Sequence, residues 1–172
     1  VLKNARVFQG GGTEVQGLDL RAIVETASQA SLLRLYPRFN EADFASWSKV
    51  SERARGGAPD AMEVIGYTGD VGQHPVCREI LGFIGVAGKS GSDVRRNFEG
   101  PPFGWPRDAV DAALLALVAS GYLRATYKSA QVGAGGLTGT SVQQAEFRVE
   151  QKVITTAERL AIRQLLTATG TK

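Results

Sequence analysis

The chain has 172 residues, of which 43% are hydrophobic and 22% charged, and its formal net charge is +3. That length and apolar content suit one domain or two small ones with a core, and the mild basic balance permits nucleic-acid contact without arguing for it. No apolar run approaches the roughly 18 residues of a membrane span, the single cysteine excludes an internal disulfide framework, and one histidine with one cysteine cannot build a tetrahedral Cys/His zinc site.

With no signal peptide visible, a cytoplasmic setting is the expectation. The valine start and weak polar tail lead us to expect a segment of a longer protein. In chain order, Val1 to Phe8 reads as an edge strand and Gly10-Gly11-Gly12 as a flexible link. From Leu18 a helix is predicted, with Leu20, Ile23, Val24, Ala27, Ala30 and Leu33 on one face. Pro37 ends it, because the residue before a proline is pushed away from helical angles. Asn40 is placed to cap a second helix, with Asp43 at its positive end. In that helix Phe44, Trp47 and Val50 form the buried stripe, with Lys49, Arg53 and Arg55 outward. Gly56-Gly57 stops it. A short helical piece follows over Ala61 to Ile65, then a loop to Gln73.

His74-Pro75 opens the next helix, whose Cys77, Ile80, Leu81 and Ile84 are spaced i, i+3, i+4 and i+7. After a loop over Gly85 to Gly91, Ser92 is the expected cap of a short helix with Val94 and Phe98 inside and Arg95 and Arg96 outside. The most telling stretch runs from Pro101 to Tyr127. Pro106 suits a helix start, and Val110, Ala113, Leu114, Leu117 and Val118 recur at helical spacing. Ala112, Leu115, Ala116 and Ala119 make the other faces apolar, so this helix is expected to be enclosed nearly all round. Gly121 ends it, and Tyr122 to Tyr127 reads as an alternating strand. A mobile glycine-rich loop is expected over Ser129 to Ser141, a second strand over Ala145 to Val149, and a last helix carrying Leu160, Ala161, Leu165 and Leu166 behind a Thr155/Glu158 capping box.

The fold class read from this order is mainly α with a small β-ribbon (α+β). The expected organisation is an N-terminal strand and helical subdomain at 1–73, a winged-helix-like unit at 74–150, and a C-terminal helix at 151–172. Three helices followed by a two-stranded ribbon with a long tip is the order of a winged helix-turn-helix.

Several motifs carry a chemical and a plainer reading. Gly88-Lys89-Ser90 has the end of a phosphate-binding loop, but Phe83 stands where the pattern requires its first glycine, and the preceding residues are helical rather than a strand. A helix–helix turn is the better account. His74 lacks a nucleophile or orienting partner, so bonding to the start of its own helix is favoured over catalysis. Cys77 reads as a buried small hydrophobe. Asp108 and Asp111 are placed to stabilise the positive end of the central helix. Phe103 and Trp105 read as a packed hinge rather than a base-stacking pair. In a winged helix the second helix of the turn enters the major groove. Here that helix has only Arg107, Asp108 and Asp111 as charges, which makes it a poor reader of a polyanion. The candidate nucleic-acid-binding residues therefore lie around it: Lys89, Arg95, Arg96, Arg124 and Lys128. Charge alone favours a protein-interaction role over sequence-specific DNA reading.

Four blocks of the sequence resemble a known family. Arg34 to Val50 (RLYPRFNEADFASWSKV), His74 to Cys77 (HPVC), Phe98 to Ala125 (FEGPPFGWPRDAVDAALLALVASGYLRA) and Ala145 to Glu150 (AEFRVE) resemble the large P-loop ATPase of bacterial BREX phage-exclusion systems. The resemblance covers about Leu18 to Leu166. It implies a fragment of a longer ATPase whose phosphate-binding region, with ATP and magnesium, lies outside these residues, so no cofactor is expected in this segment. It also implies a role in phage defence beside other proteins of the system. The expected function is a non-catalytic interaction or assembly module, with self-association open to it and no membrane partner. The alternative is a DNA-contacting module of the same ATPase.

Overall fold

The computed structural model describes residues 6–151 and 156–168. Among them it is mainly helical, with small antiparallel sheets, a mixed α+β architecture. The N-terminal part is a two-stranded hairpin, β1 (Val7–Phe8) and β2 (Glu14–Val15), followed by helix α1 (Leu20–Leu35). Asp19 caps α1 by accepting from the Ala22 N–H at 2.8 Å, and the helix ends at Tyr36, before Pro37. The expected helix is present, but its apolar face is not covered: no residue of α1 is buried. It rests on the hairpin, where Gln9 Nε2 donates to the Ala27 carbonyl at 3.2 Å and Arg34 to the Gly10 carbonyl at 3.0 Å.

Helix α2 (Trp47–Arg55) buries Trp47, Val50, Ser51 and Ala54. Its flanking residue is Ser46; Asn40, the expected cap, lies in a separate 3-10 turn over Phe39–Glu41, and Phe44 is exposed. Further 3-10 turns follow at Ala61–Ile65 and Val71–Gln73. Then come α3 (Pro75–Ile84), β3 (Lys89–Ser90), α4 (Gly91–Glu99) and α5 (Arg107–Ser120). Ser90, not Ser92, caps α4, accepting from the Asp93 N–H at 3.1 Å.

Helix α5 is the centre of the molecule. Ala109, Val110 and every residue from Ala112 to Leu117 are buried. Burying both the Leu/Val positions and the alanines requires neighbours on all sides; α2, α3, α4 and β4 supply them. Gly121 stops the helix in the left-handed region at φ 81°, and the chain turns into β4 (Leu123–Tyr127). One hydrophobic core runs from Ala42 to Phe147. The boundary expected at 73/74 does not divide it, because Trp47 and Val50 of α2 share that core with Leu114 and Leu117 of α5.

The region expected to be a mobile glycine-rich tip is ordered structure. Lys128 and Ser129, at φ 49° and 64°, form a tight two-residue hairpin turn of the kind that suits twisted strands, leading to β5 (Ala130–Val132). A 3-10 turn at Ala134–Gly136 and helix α6 (Gly139–Gln144) follow, the helix opened by a capping box between Thr138 and Ser141. Ala134, Leu137 and Val142 are buried, and this burial holds the segment down. Strand β6 (Glu146–Val149) returns between β3 and β4, so the sheet order is β3-β6-β4-β5, antiparallel throughout. Lys89, Ala125 and Phe147 share a row, with Phe147 and Ala125 buried. Helix α7 (Thr156–Ala168) ends the described chain; Thr155 of the expected capping box lies outside the described residues. No described helix is long and apolar enough to cross a membrane.

Candidate functional site

The five basic positions singled out from sequence do not form one surface. Arg95 is buried, at 8% exposure, which corrects the outward placement expected for it. Its guanidinium meets Asp111 of α5 in a two-bond clamp, Nε to Oδ1 at 2.8 Å and Nη2 to Oδ2 at 2.6 Å. Nη2 also donates to the Gly139 carbonyl at 2.8 Å and Nη1 to Gln143 at 3.3 Å. The helical period of α4 puts Arg95 beside Val94 and Phe98 rather than opposite them. Asp111, read as a helix-dipole residue, is the partner that makes this burial tolerable. Arg95 thus ties α4 to α5 and α6 and is not a phosphate ligand.

Arg124 lies on the outer face of the sheet directly opposite Arg148. Like charges in that position repel, and each is answered by a glutamate: Arg124 by Glu150 at 2.7 Å and Arg148 by Glu146 at 2.9 Å. Lys128 sits at the hairpin turn with its ammonium 5.4 Å from the Tyr127 ring centroid.

Lys89 and Arg96 do come together. They line an open concavity of about 620 Å³ with Phe83, Asp93, Asn97 and Pro101. Lys89 extends from β3 in the same row as Phe147, which carries its ammonium to 5.6 Å from the Phe83 ring centroid. No described carboxylate pairs with Lys89, whereas Arg96 Nη1 donates to Asp93 Oδ1 at 3.2 Å. The Ser90 hydroxyl donates to the other Asp93 oxygen at 2.6 Å. That bond, with the charges of Arg96 and Lys89, holds the Asp93 carboxyl below the usual aspartate range. Asp93, Arg96, Asn97 and Gly100 follow the i, i+3, i+4, i+7 spacing of one face of α4. That spacing is present in the sequence, but what brings Asp93 and Asn97 to Lys89 is the pairing of β3 with β6, which no local pattern shows.

The run with phosphate-loop lettering does something else. Lys89 and Ser90 pair with β6, and the Ser90 hydroxyl is spent on α4 and Asp93. Trp105 is buried, stacked on Phe98 at 4.9 Å with ring planes 5° apart, and its Nε1 donates to the Arg38 carbonyl at 2.8 Å. Around this junction Arg38 pairs with Glu41 at 2.9 Å and Glu79 at 3.0 Å and lies 4.8 Å from the Phe103 ring. The segment before α5 is therefore pinned to the loop before α2.

His74 does not bond to the start of its own helix, as expected from sequence. It is 5% exposed, edge-on to Tyr67 at 4.8 Å and Trp47 at 6.1 Å, with Nδ1 buried and unpaired among the described residues. Burial lowers its pKa from an ordinary 6.5, opposed by the weaker attraction of Glu41. Because the unfolded chain then binds the proton more readily, the contribution of a neutral His74 is full above pH 6.5 and falls as pH drops below it. Urea unfolding at about pH 7.5 and about pH 5.5 checks this: His74→Leu should lose less stability over that interval than the parent, and an equal loss would exclude His74 as the source. Cys77 is fully enclosed, and burial pushes its thiol pKa up, as a buried hydrophobe requires. Among the described residues no group of three or more His, Cys, Asp or Glu side chains is placed to hold a metal.

No known family, curated protein or solved structure matches the chain.

Proposed function

We propose that this chain is a non-catalytic interaction and assembly module, built on a winged-helix-like unit at about 74–150, of a phage-defence ATPase of the BREX type. The four sequence blocks support the assignment to that ATPase. The order α3-β3-α4-α5-β4-β6, with β6 between β3 and β4, supports the winged-helix reading.

One observation carries the choice of protein interaction over DNA. In a winged helix that reads DNA, the helix in the position of α5 must offer a face to the major groove. Here α5 is buried from Ala112 to Leu117, and α2 packs along it with Trp47, Val50 and Ala54. Over that stretch the helix has no face left to offer, and its exposed first turn, Arg107 and Asp108, carries opposite charges that cancel before a polyanion. On α1, by contrast, Leu20, Val24, Leu32, Leu33 and Leu35 are 39–65% exposed, the apolar display expected of a surface that meets other proteins of the system.

Binding of duplex and single-stranded DNA across a salt series tests the reading. The expected result is no saturable binding tighter than the roughly 10⁻⁴ M of weak non-specific contact near physiological salt. Tight binding that declines steeply with salt, and weakens in Arg96→Ala and Lys128→Ala, would move the assignment to a nucleic-acid module using Lys89, Arg96, Arg124 and Lys128.

A further inference from the structure

We infer that the concavity along α4 is a peptide-binding site for an extended segment of a partner protein with one carboxylate side chain beside an apolar one. This rests on the interaction-module reading above and names the ligand class for one of its surfaces.

Charge decides the first half. The lining carries Lys89 and Arg96 against Asp93. Asp93 is held ionised by the Ser90 hydroxyl and by the two cations, so two positive charges and one negative leave a net +1. Arg96 is hydrogen-bonded to Asp93 at 3.2 Å, while Lys89 acts on the same carboxylate through its charge alone and makes no ion pair of its own among the described residues. The site therefore has one cation to satisfy, which one carboxylate does. A nucleic-acid strand places a charge on every nucleotide and binds by neutralising several at once; the interposed Asp93 works against that.

Geometry decides the second half. The Lys89 ammonium lies over the Phe83 ring at 5.6 Å, and Phe98 meets the same ring edge-on at 5.6 Å and 80°. A stacking base would have to displace the ammonium, whereas Phe83 and Pro101 in the lining offer apolar surface to an aliphatic side chain. Asn97 presents a side-chain amide that no described residue engages, and an amide carries both donor and acceptor, the complement of a peptide bond. The volume of about 620 Å³ falls in the range of natural ligand sites.

The probe is a fluorescent, end-blocked Ala-Leu-Glu-Leu-Ala peptide, with a Glu-to-Gln version and a labelled thymidine oligonucleotide as controls, titrated into the whole chain. Saturable binding of the Glu peptide is expected, weaker by about tenfold, one ion pair's worth, in Lys89→Gln. The Gln peptide should bind the parent chain about tenfold more weakly and gain no further loss from Lys89→Gln. Asn97→Ala should weaken both peptides, Lys128→Glu neither, with every variant melting as the parent does. No saturable binding, equal loss in Lys128→Glu, or tighter binding of the oligonucleotide through Lys89 and Arg96 would each overturn the proposal. The first of these, with DNA binding also absent, removes the groove and leaves the module reading; salt-sensitive DNA binding removes the module reading itself.

Discussion

Arg95→Ala is expected to lower the unfolding free energy by about 3–5 kcal/mol, the range for breaking a buried ion pair from one side. The side chains of Arg95 and Asp111 are only 9% and 15% exposed, so solvent screening offers little relief to the carboxylate left behind. The Gly139 carbonyl also loses a donor at 2.8 Å. Asp111→Ala should be similarly damaging, since it strands a guanidinium in the same place. The double variant Arg95→Met/Asp111→Leu separates pairing from packing. It should recover most of the loss, short by the roughly 1–3 kcal/mol of an unsatisfied Gly139 oxygen. Denaturant unfolding of the four proteins measures this directly. A loss under about 1 kcal/mol for Arg95→Ala would mean that the pair behaves as a surface one.

Gly91→Ala should cost about 3 kcal/mol, or about 6–12 °C in melting temperature for a chain of this size. Gly91 opens α4, and its N–H donates to the Ala145 carbonyl at 2.9 Å. A Cβ there would run into the Val142 carbonyl, 2.8 Å from its carbon and closer still to its oxygen. The obstruction is main chain, so trimming the neighbouring side chain with Val142→Ala should not rescue it. Relief requires α6 to move away from α4, and that motion pulls on the Arg95 bonds to Gly139 and Gln143. Calorimetry of Gly91→Ala alone and with Val142→Ala checks both points. A melting temperature unchanged to within about 2 °C would show that α6 yields freely.

How far the sequence could be read depended on how far each residue's partner lies along the chain. Helix α5 was legible because its apolar positions, Pro106 before it and Gly121 after it are local signals. Cys77 and the α3 stripe were legible for the same reason. Arg95 was not: its partner Asp111 is 16 residues away on another helix, and a charged residue without a visible partner is assigned to solvent. His74 misled similarly, because its surroundings are Trp47 and Tyr67 rather than its own helix. The segment 129–141 was masked by its glycines. Leu137 and Val142 are sparse but fully buried, and Thr138 with Ser141 forms a capping box that uses serine in place of the usual glutamate or glutamine. Of the candidate site, Lys89 and Arg96 were legible as charges. Their union with Phe83, Asp93 and Asn97 was not, since it requires β3 to pair with β6, whose Phe147 lies 58 residues beyond its partner Lys89.

The packing of α2 along α5 also bears on how the chain is made. Helix α2 ends at Arg55, and α5 begins only at Arg107. At about 5–20 residues per second, a ribosome needs on the order of 3–10 s to extend the chain across that gap. Throughout that interval Trp47 and Val50 have no α5 to pack against, and the core cannot close until Phe147 has followed. A nascent chain stalled before residue 107 would thus offer chaperones a tryptophan-centred apolar stripe that the finished protein hides.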